Sequence, residues 1–362
     1  MKKNLIMLLL AAILVTGCAA PSAATPAAEV VEPATAEPVA AEPTAAPTEI
    51  SFEPVTLTVN LTKGVQSLGP MYIAMSKGYF EQFGITIETV TLQKPNDALP
   101  LLLNGDLDIL IGSVDSGVLN TIAADPEIRF VADRGYIRMP NECTYYGLVI
   151  QKSLYDSGEI TKPEDLKGRK IVTSVTSPGL FVLSKYLQQG GLTVNDIEMM
   201  SIPVSAWGES LKNKEVDGIF TTETILTRLI QQSDGYVLAK AEELTDMQLS
   251  GLIFGKDLRV DNRDVGVRFL AAYLMGIREY SKGKTEENLQ ILQEQTGEDP
   301  QVLKDACWMQ FNPDASMNFS SFDDYQNHML SLKLIENKFT VDQVYDPSLA
   351  AEAQALLAET GY

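Results

Sequence analysis

Leu102-Leu103-Asn104-Gly105-Asp106-Leu107-Asp108-Ile109 returns later in the chain as Leu211-Lys212-Asn213-Lys214-Glu215-Val216-Asp217-Gly218-Ile219. Each copy closes an apolar-periodic stretch with Asn followed by Gly or Lys, then gives an acid, an apolar residue, Asp and an apolar strand. Each also lies downstream of another strand-to-helix junction. Two similar α/β units in one chain point to two lobes facing a cleft, and such clefts hold small ligands. The expectation is a two-lobed binding protein.

Working outward, the pattern on both sides of the echo alternates strand and helix, which predicts parallel α/β architecture. Before the first copy come a strand at Val55–Val59, a loop through Gln66-Ser67-Leu68-Gly69, a helix opened by Pro70 and running Met71–Lys77, and a strand at Gly84–Val90. After it come a strand Asp108–Ile111 and the loop Gly112–Gly117. The second unit places a strand at Lys170–Val172 and a hydroxyl-rich turn, Thr173–Gly179, opening a helix Leu180–Gln188. A strand at Asp217–Phe220 then ends on Thr221-Thr222-Glu223. Tyr145–Ile150 reads as a strand carrying the chain toward the second lobe, and Leu249–Phe254 as a return strand in the first. From Asp264 on, helical periodicity predicts a buttress packed on the first lobe. The predicted division is lobe 1 at 54–150, lobe 2 at 151–235, and the return with C-terminal helices at 236–362. Hinges are expected near Tyr145–Gln151 and Thr222–Leu238.

The ends suggest a compartment. Lys2 and Lys3, the apolar run Leu5–Val15 and the small residues before Cys18 describe a secretory signal peptide over 1–17. Cys18 directly after Gly17 resembles a bacterial lipobox, with Cys18 lipidated. Residues 18–53 are nearly all Ala, Pro, Thr and Glu, with the pairs Glu32-Pro33, Glu37-Pro38 and Glu42-Pro43, and read as a disordered tether. The net charge of −20, from 48 acidic against 28 basic residues, excludes a nucleic-acid partner. Of the three cysteines, Cys143 and Cys307 remain; they either pair or stay as buried thiols. The single histidine, His328, reads as a partly exposed helical residue.

Ligand contacts are expected at the carboxyl ends of strands. The candidates are Ser67, Leu68 and Gly69, then Ser113, Asp115 and Ser116, then Ser174, Thr176 and Ser177, and finally Glu223, with Tyr145 and Trp207 as cleft walls. Backbone N–H groups and hydroxyls at Thr173–Gly179 suit an oxyanion without a buried cation. Asp115 and Glu223 favour an amine or another donor on the ligand. Gly283-Lys284-Thr285 imitates the end of a phosphate-binding loop, but Arg278 stands where the upstream glycine is required. Neither a nucleophile–base arrangement nor a metal or cofactor motif emerges, so the chain reads as a non-enzyme.

Gly69-Pro70-Met71-Tyr72-Ile73-Ala74, Lys77-Gly78-Tyr79-Phe80, Gly84-Ile85, the Asn104–Ile109 copy and Pro163–Ile171 resemble the nitrate/sulfonate/taurine and thiamine-precursor substrate-binding family of ATP-binding-cassette importers. The resemblance spans roughly Val55 to Val260. It implies a two-lobed, type II periplasmic-binding-protein fold. It also implies a lipid-anchored extracytoplasmic monomer that delivers a small polar solute to a permease and its ATPase. The family's ligand loops map onto Ser67–Gly69, Gly112–Ser116, Ser174–Pro178 and the segment at Glu223. Many members carry Trp-Glu-Pro where this chain has Thr222-Glu223-Thr224, and the iron motif of the pyrimidine-synthase relatives is missing. A heteroaromatic thiamine precursor stays open as the solute, as does a sensory role without transport.

Overall fold

The computed structural model describes residues 51–61, 66–92, 97–139, 141–173 and 177–362. The expected signal peptide, Cys18 and nearly all of the tether lie outside these residues. The strands are β1 (Val55–Asn60), β2 (Ile85–Val90), β3 (Ile109–Ser113), β4 (Arg129–Asp133), β5 (Tyr136–Ile137), β6 (Tyr146–Gln151), β7 (Lys170–Thr173), β8 (Glu198–Met200), β9 (Gly218–Thr222), β10 (Gly235–Lys240), β11 (Met247–Gln248) and β12 (Ser250–Phe254).

They build two five-stranded sheets with one plan. The first runs β2-β1-β3-β12-β4 and the second β8-β7-β9-β6-β10. In each, the first three strands are parallel, with β1 beside β2 and β3, and β7 beside β8 and β9. An antiparallel fourth strand, β12 or β6, then pairs with the third and the fifth.

The echo in the sequence occupies equivalent places in the two sheets. Each copy ends its helix on a left-handed residue, Gly105 at φ +76° and Lys214 at φ +63°. Each then turns its aspartate onto the neighbouring parallel strand. Asp108 Oδ2 accepts from the Thr58 N–H at 2.7 Å, and Asp217 Oδ2 from the Lys170 N–H at 2.8 Å. The backbone repeats the match, with Asp108 N–H donating to Thr58 O and Asp217 N–H to Lys170 O. The repeated acid-apolar-Asp pattern is thus a fastening between the second and third strands of each sheet, β1 with β3 and β7 with β9.

Two strands fall elsewhere than the sequence reading puts them. Tyr146–Gln151 pairs with β9 and β10 in the second sheet, not in a first lobe ending at 150. Gly235–Lys240 also belongs to the second sheet, so the chain leaves that sheet only after Lys240, beyond the expected Thr222–Leu238 hinge. An apolar run such as Tyr146–Ile150, buried throughout, suits either sheet; long-range pairing alone assigns it. The stretch read as a loop to Gly117 instead starts a helix, Ser116–Ala124. The second sheet is one uninterrupted stretch of chain, β6 to β10, while the first is completed only when β12 arrives.

The C-terminal helices form the expected buttress. Arg263–Tyr280 packs between Gly69–Ser76 and Ser348–Thr360. A Cβ on Gly276 would lie 2.2 Å from Pro70 O, so the close approach of the first two of these helices requires glycine there. His328, on helix Phe322–Ser331, is half-buried and lies 3.5 Å from Ser184 Oγ of the helix Ser177–Gln189.

Candidate functional site

The topology fixes where the site sits. β12 enters the first sheet with Ser250 opposite Ser113, at the carboxyl end of β3. β6 enters the second with Tyr146 opposite Thr222, at the carboxyl end of β9. The crossings between sheets, residues 134–145 and 241–249, therefore link the two carboxyl edges, where open α/β sheets bind ligands. The crossings pair with each other through β5 and β11, Tyr136 opposite Gln248 and Ile137 opposite Met247. Glu242 of the second accepts from the Tyr145 N–H of the first at 2.7 Å.

Asp133 is the hub of this frame. It is completely buried and accepts from Gly135 N–H at 2.6 Å, Gln248 Nε2 at 2.6 Å and Asn312 N–H at 2.7 Å. Burial pushes its pKa up to about 7, against the pull of these donors.

Arg134 follows directly. Its Nη1 donates to Ser250 Oγ at 2.8 Å, and Ser250 Oγ donates back to Arg134 O at 2.9 Å. The Arg134 Nε is buried and has no hydrogen-bond partner among the described residues. Burial lowers the guanidinium pKa, while Tyr145, Tyr273, Tyr72 and Asp133 draw it back up. A guanidinium remains charged at any ordinary pH, so this is a half-buried cation whose buried Nε–H is an unused donor.

Phenols stand near it, Tyr145, Tyr273 and Tyr72, and Gln66 joins the cluster through Tyr280. Tyr145, 6 % exposed, hydrogen-bonds through its side chain to Ser67, in the helical turn Gln66–Leu68, and to Thr222, the last residue of β9. Burial raises its pKa, with the Ser67 bond and Arg134 opposing. Gln66 Nε2 donates to the Tyr280 hydroxyl at 2.7 Å, and Gln66 Oε1 is buried without a partner among the described residues. Tyr280 stacks on Trp308 with ring centroids 5.0 Å apart. The arrangement offers one cationic donor and one amide acceptor beside aromatic walls. It suits a small solute with an anionic group and a hydrogen-bond donor.

The structure sorts the sequence candidates. Ser67 and Tyr145 meet at the junction, and Ser113 lies beside Ser250 in the β3–β12 register. Leu68 is buried as the residue before the helix Gly69–Ser76. Gly69 makes room for a ring, since a Cβ there would stand 2.3 Å from Tyr280 Cε2. Asp115 caps the helix Ser116–Ala124, accepting from Val118 N–H at 3.0 Å, and Ser116 is that helix's first residue. Burial raises the Asp115 pKa, with the Val118 and Gly117 N–H groups opposing.

Glu223, at 8 % exposure, accepts from Thr227 N–H at 3.0 Å, Thr227 Oγ1 at 2.9 Å and Cys307 N–H at 3.0 Å. It holds protein donors where a ligand amine was expected. Burial raises its pKa, and those donors lower it. Trp207 is a core residue, not a cleft wall: it packs in the second lobe's cluster with Val149, Val172 and Leu211, its indole N–H donating to Ile202 O at 3.0 Å. Ser174 and Thr176 lie outside the described residues, as does the Ser177 side chain; the Ser177 backbone starts the helix to Gln189.

Sequence reasoning passes over Gln66, Arg134, Tyr72, Tyr273 and Tyr280. One signal for Arg134 was present: an Asp-Arg pair closing the apolar run Phe130-Val131-Ala132, at the end of a strand. Cys143 and Cys307, left open by their spacing, form a disulfide with Cα atoms 5.6 Å apart. No helix among the described residues is long and apolar enough to cross a membrane.

Comparison with known proteins agrees with this fold. No curated protein matches the sequence. Solved structures share the fold at low identity. The periplasmic aliphatic sulphonate-binding protein of Escherichia coli is 17 % identical with a TM-score of 0.66, covering 82 % of this chain and 93 % of that one. The periplasmic nitrate-binding protein of Synechocystis is 16 % identical with a TM-score of 0.64, covering 84 % and 89 %. A desulfurization enzyme is 15 % identical with a TM-score of 0.58, covering 83 % and 99 %. The NMT1/THI5-like family model matches residues 66–283, more than half of the sequence, and the chain belongs to that family.

Proposed function

We propose that this chain is the extracytoplasmic solute-binding component of an ATP-binding-cassette importer. It captures a small solute with an anionic head between its two lobes and presents it to a permease. One observation carries the reading: the half-buried Arg134 guanidinium, at the joined carboxyl edges of both sheets, has a buried Nε–H with no protein acceptor among the described residues. An unmet buried donor on a cation is costly, and an oxyanion would meet it. The sulphonate- and nitrate-binding proteins of the same fold support this class of solute.

Ligand contacts from both lobes would favour the closed arrangement and shift the open–closed equilibrium. The desulfurization enzyme shows that the fold also serves catalysis. Binding without turnover is favoured here because Cys143 and Cys307 are consumed in a disulfide and His328 belongs to a contact between helices. Cys18 would carry the lipid that holds the protein at the membrane; Cys18→Ala should release it into the soluble fraction.

The test is a thermal-shift titration of residues 19–362 with nitrate, bicarbonate, taurine, alkanesulfonates and aminopyrimidines. A ligand that binds only the native state raises the melting temperature by mass action. A concentration-dependent rise with an anionic solute is expected. A rise with aminopyrimidines alone would reject the anion reading.

A further inference from the structure

The segment from Glu298 to Asn312 touches both lobes and the first crossing. Toward the second lobe, Glu298 bonds Thr224 Oγ1, Asp305 accepts from Gln231 Nε2 at 2.8 Å, and the Cys307 N–H donates to Glu223. Toward the first, Trp308 stacks on Tyr280, and the Asn312 N–H donates to Asp133. Toward the crossing, Gln310 bridges Tyr136 and donates through Nε2 to Asn141 Oδ1 at 2.8 Å, and Cys307 is bonded to Cys143. The segment is a strap, and its only covalent fastening to the crossing among the described residues is that disulfide. The two residues are unequally placed: Cys307 is 4 % exposed, while Cys143 is exposed. Tyr145, which holds Ser67 and Thr222, lies two residues beyond Cys143.

We propose that the Cys143–Cys307 disulfide is a redox-controlled fastening of this strap that sets the affinity of the cleft. It rests on the reading that the cleft binds a solute. In the oxidised protein the crossing and the strap are one unit, so the loops holding Ser67, Thr222 and Glu223 are prepared for closure. A dithiol reductant approaches from the Cys143 side, the solvent-exposed residue of the pair. Its thiolate attacks Cys143 Sγ, the S–S bond breaks, and Cys307 leaves as a thiolate that takes a proton. The second thiol of the reductant then displaces Cys143 from the mixed disulfide. The protein has gained two electrons and two protons, and the dithiol has become a disulfide. The strap keeps its hydrogen bonds but loses its tie, and closure must now order a looser crossing.

The whole exported chain is compared oxidised, reduced with dithiothreitol under native conditions, and as Cys143→Ser/Cys307→Ser. Hydrogen exchange without solute is followed in peptides covering 139–146 and 304–311. Solute affinity is then measured with methanesulfonate or taurine. Reduction and the double variant should both speed exchange in those two segments, leave the second sheet's core protected, and weaken binding roughly 5- to 100-fold. Reoxidation of the wild type should restore both, which separates loosening from misfolding. Unchanged exchange in both segments, or a disulfide that native dithiothreitol cannot open, would overturn the proposal. If exchange responds as expected while the oxidised chain binds no solute, the solute-binding reading fails and the redox fastening of the crossing stands.

Discussion

Replacing Arg134 by Met tests the site most directly, because stability and affinity should move apart. Met keeps an apolar stem and removes the charge. The change costs the Nη1 bond to Ser250 Oγ, about 1 kcal/mol for a typical protein hydrogen bond. Ser250 Oγ keeps its own bond to the residue 134 carbonyl, so no new buried donor is orphaned. Against that loss stands relief from holding a partly buried cation with an unmet Nε–H, which offsets it. The ligand-free variant should therefore unfold in urea at a midpoint equal to or above that of the wild type. Solute binding should fall by the value of a charged hydrogen bond, about 1.5–3 kcal/mol. That corresponds to roughly 10- to 150-fold in Kd. Paired urea melts and calorimetric titrations supply both numbers. Binding within about twofold of wild type would refute the role of Arg134, and a stability loss above about 3 kcal/mol would refute the claim that its charge is a structural burden.

The other predictions follow from particular contacts. Gly69→Ala places a methyl 2.3–2.5 Å from the Tyr280 ring, so the ring must shift off Gln66; a loss of about 1–3 kcal/mol is expected by chemical denaturation. Gly276→Ala should cost more, since its obstacle is the Pro70 carbonyl, which is backbone. The Asp133 carboxyl is pushed up to about 7 in the folded protein from an ordinary 3.8, so its contribution is fully present below the unfolded pKa and is lost as pH rises toward 7. Between pH 5 and pH 7 the wild type should lose on the order of 2 kcal/mol that Asp133→Asn does not lose, read from urea midpoints at each pH. Asp115→Ala should cost about 1 kcal/mol through the lost cap, whereas Asp115→Asn, also a good cap, should change neither stability nor solute affinity. A large affinity change in Asp115→Asn would restore that residue to the ligand.

Local chemistry was legible in the sequence, and long-range partnership was not. The Asn104–Ile109 and Asn213–Ile219 copies announced two equivalent units because each encodes a helix stop, a strand start and an aspartate fastening within a few residues. Strand ends likewise marked the loops at Ser67, Ser113 and Glu223. The sheet to which Tyr146–Gln151 belongs was hidden, since its neighbours lie more than sixty residues downstream at Gly218–Thr222 and Gly235–Lys240. Asp115 and Glu223 looked like ligand groups because an acid in a loop reads the same whether its donors come from protein or solute. Arg134 was missed for the complementary reason: nothing adjacent in sequence shows that Ser250, Tyr273 and Tyr72 enclose it.

The unequal ancestry of the two sheets in the chain bears on the order in which they form. The second sheet draws on β6 to β10 alone, while β3 lies exposed along one edge until Ser250–Phe254 has been delivered. Closing the span from Ser113 to Ser250 is entropically slower than any pairing within the second sheet, β6 with its distant neighbours included. A chain exported unfolded, amino end first, should thus complete its later lobe before its earlier one. Pulse-labelled refolding should protect the β7–β9 amides ahead of β3–β12, and the reverse order would contradict this. During that interval the unpaired edge of β3 is the surface most prone to pair with another chain.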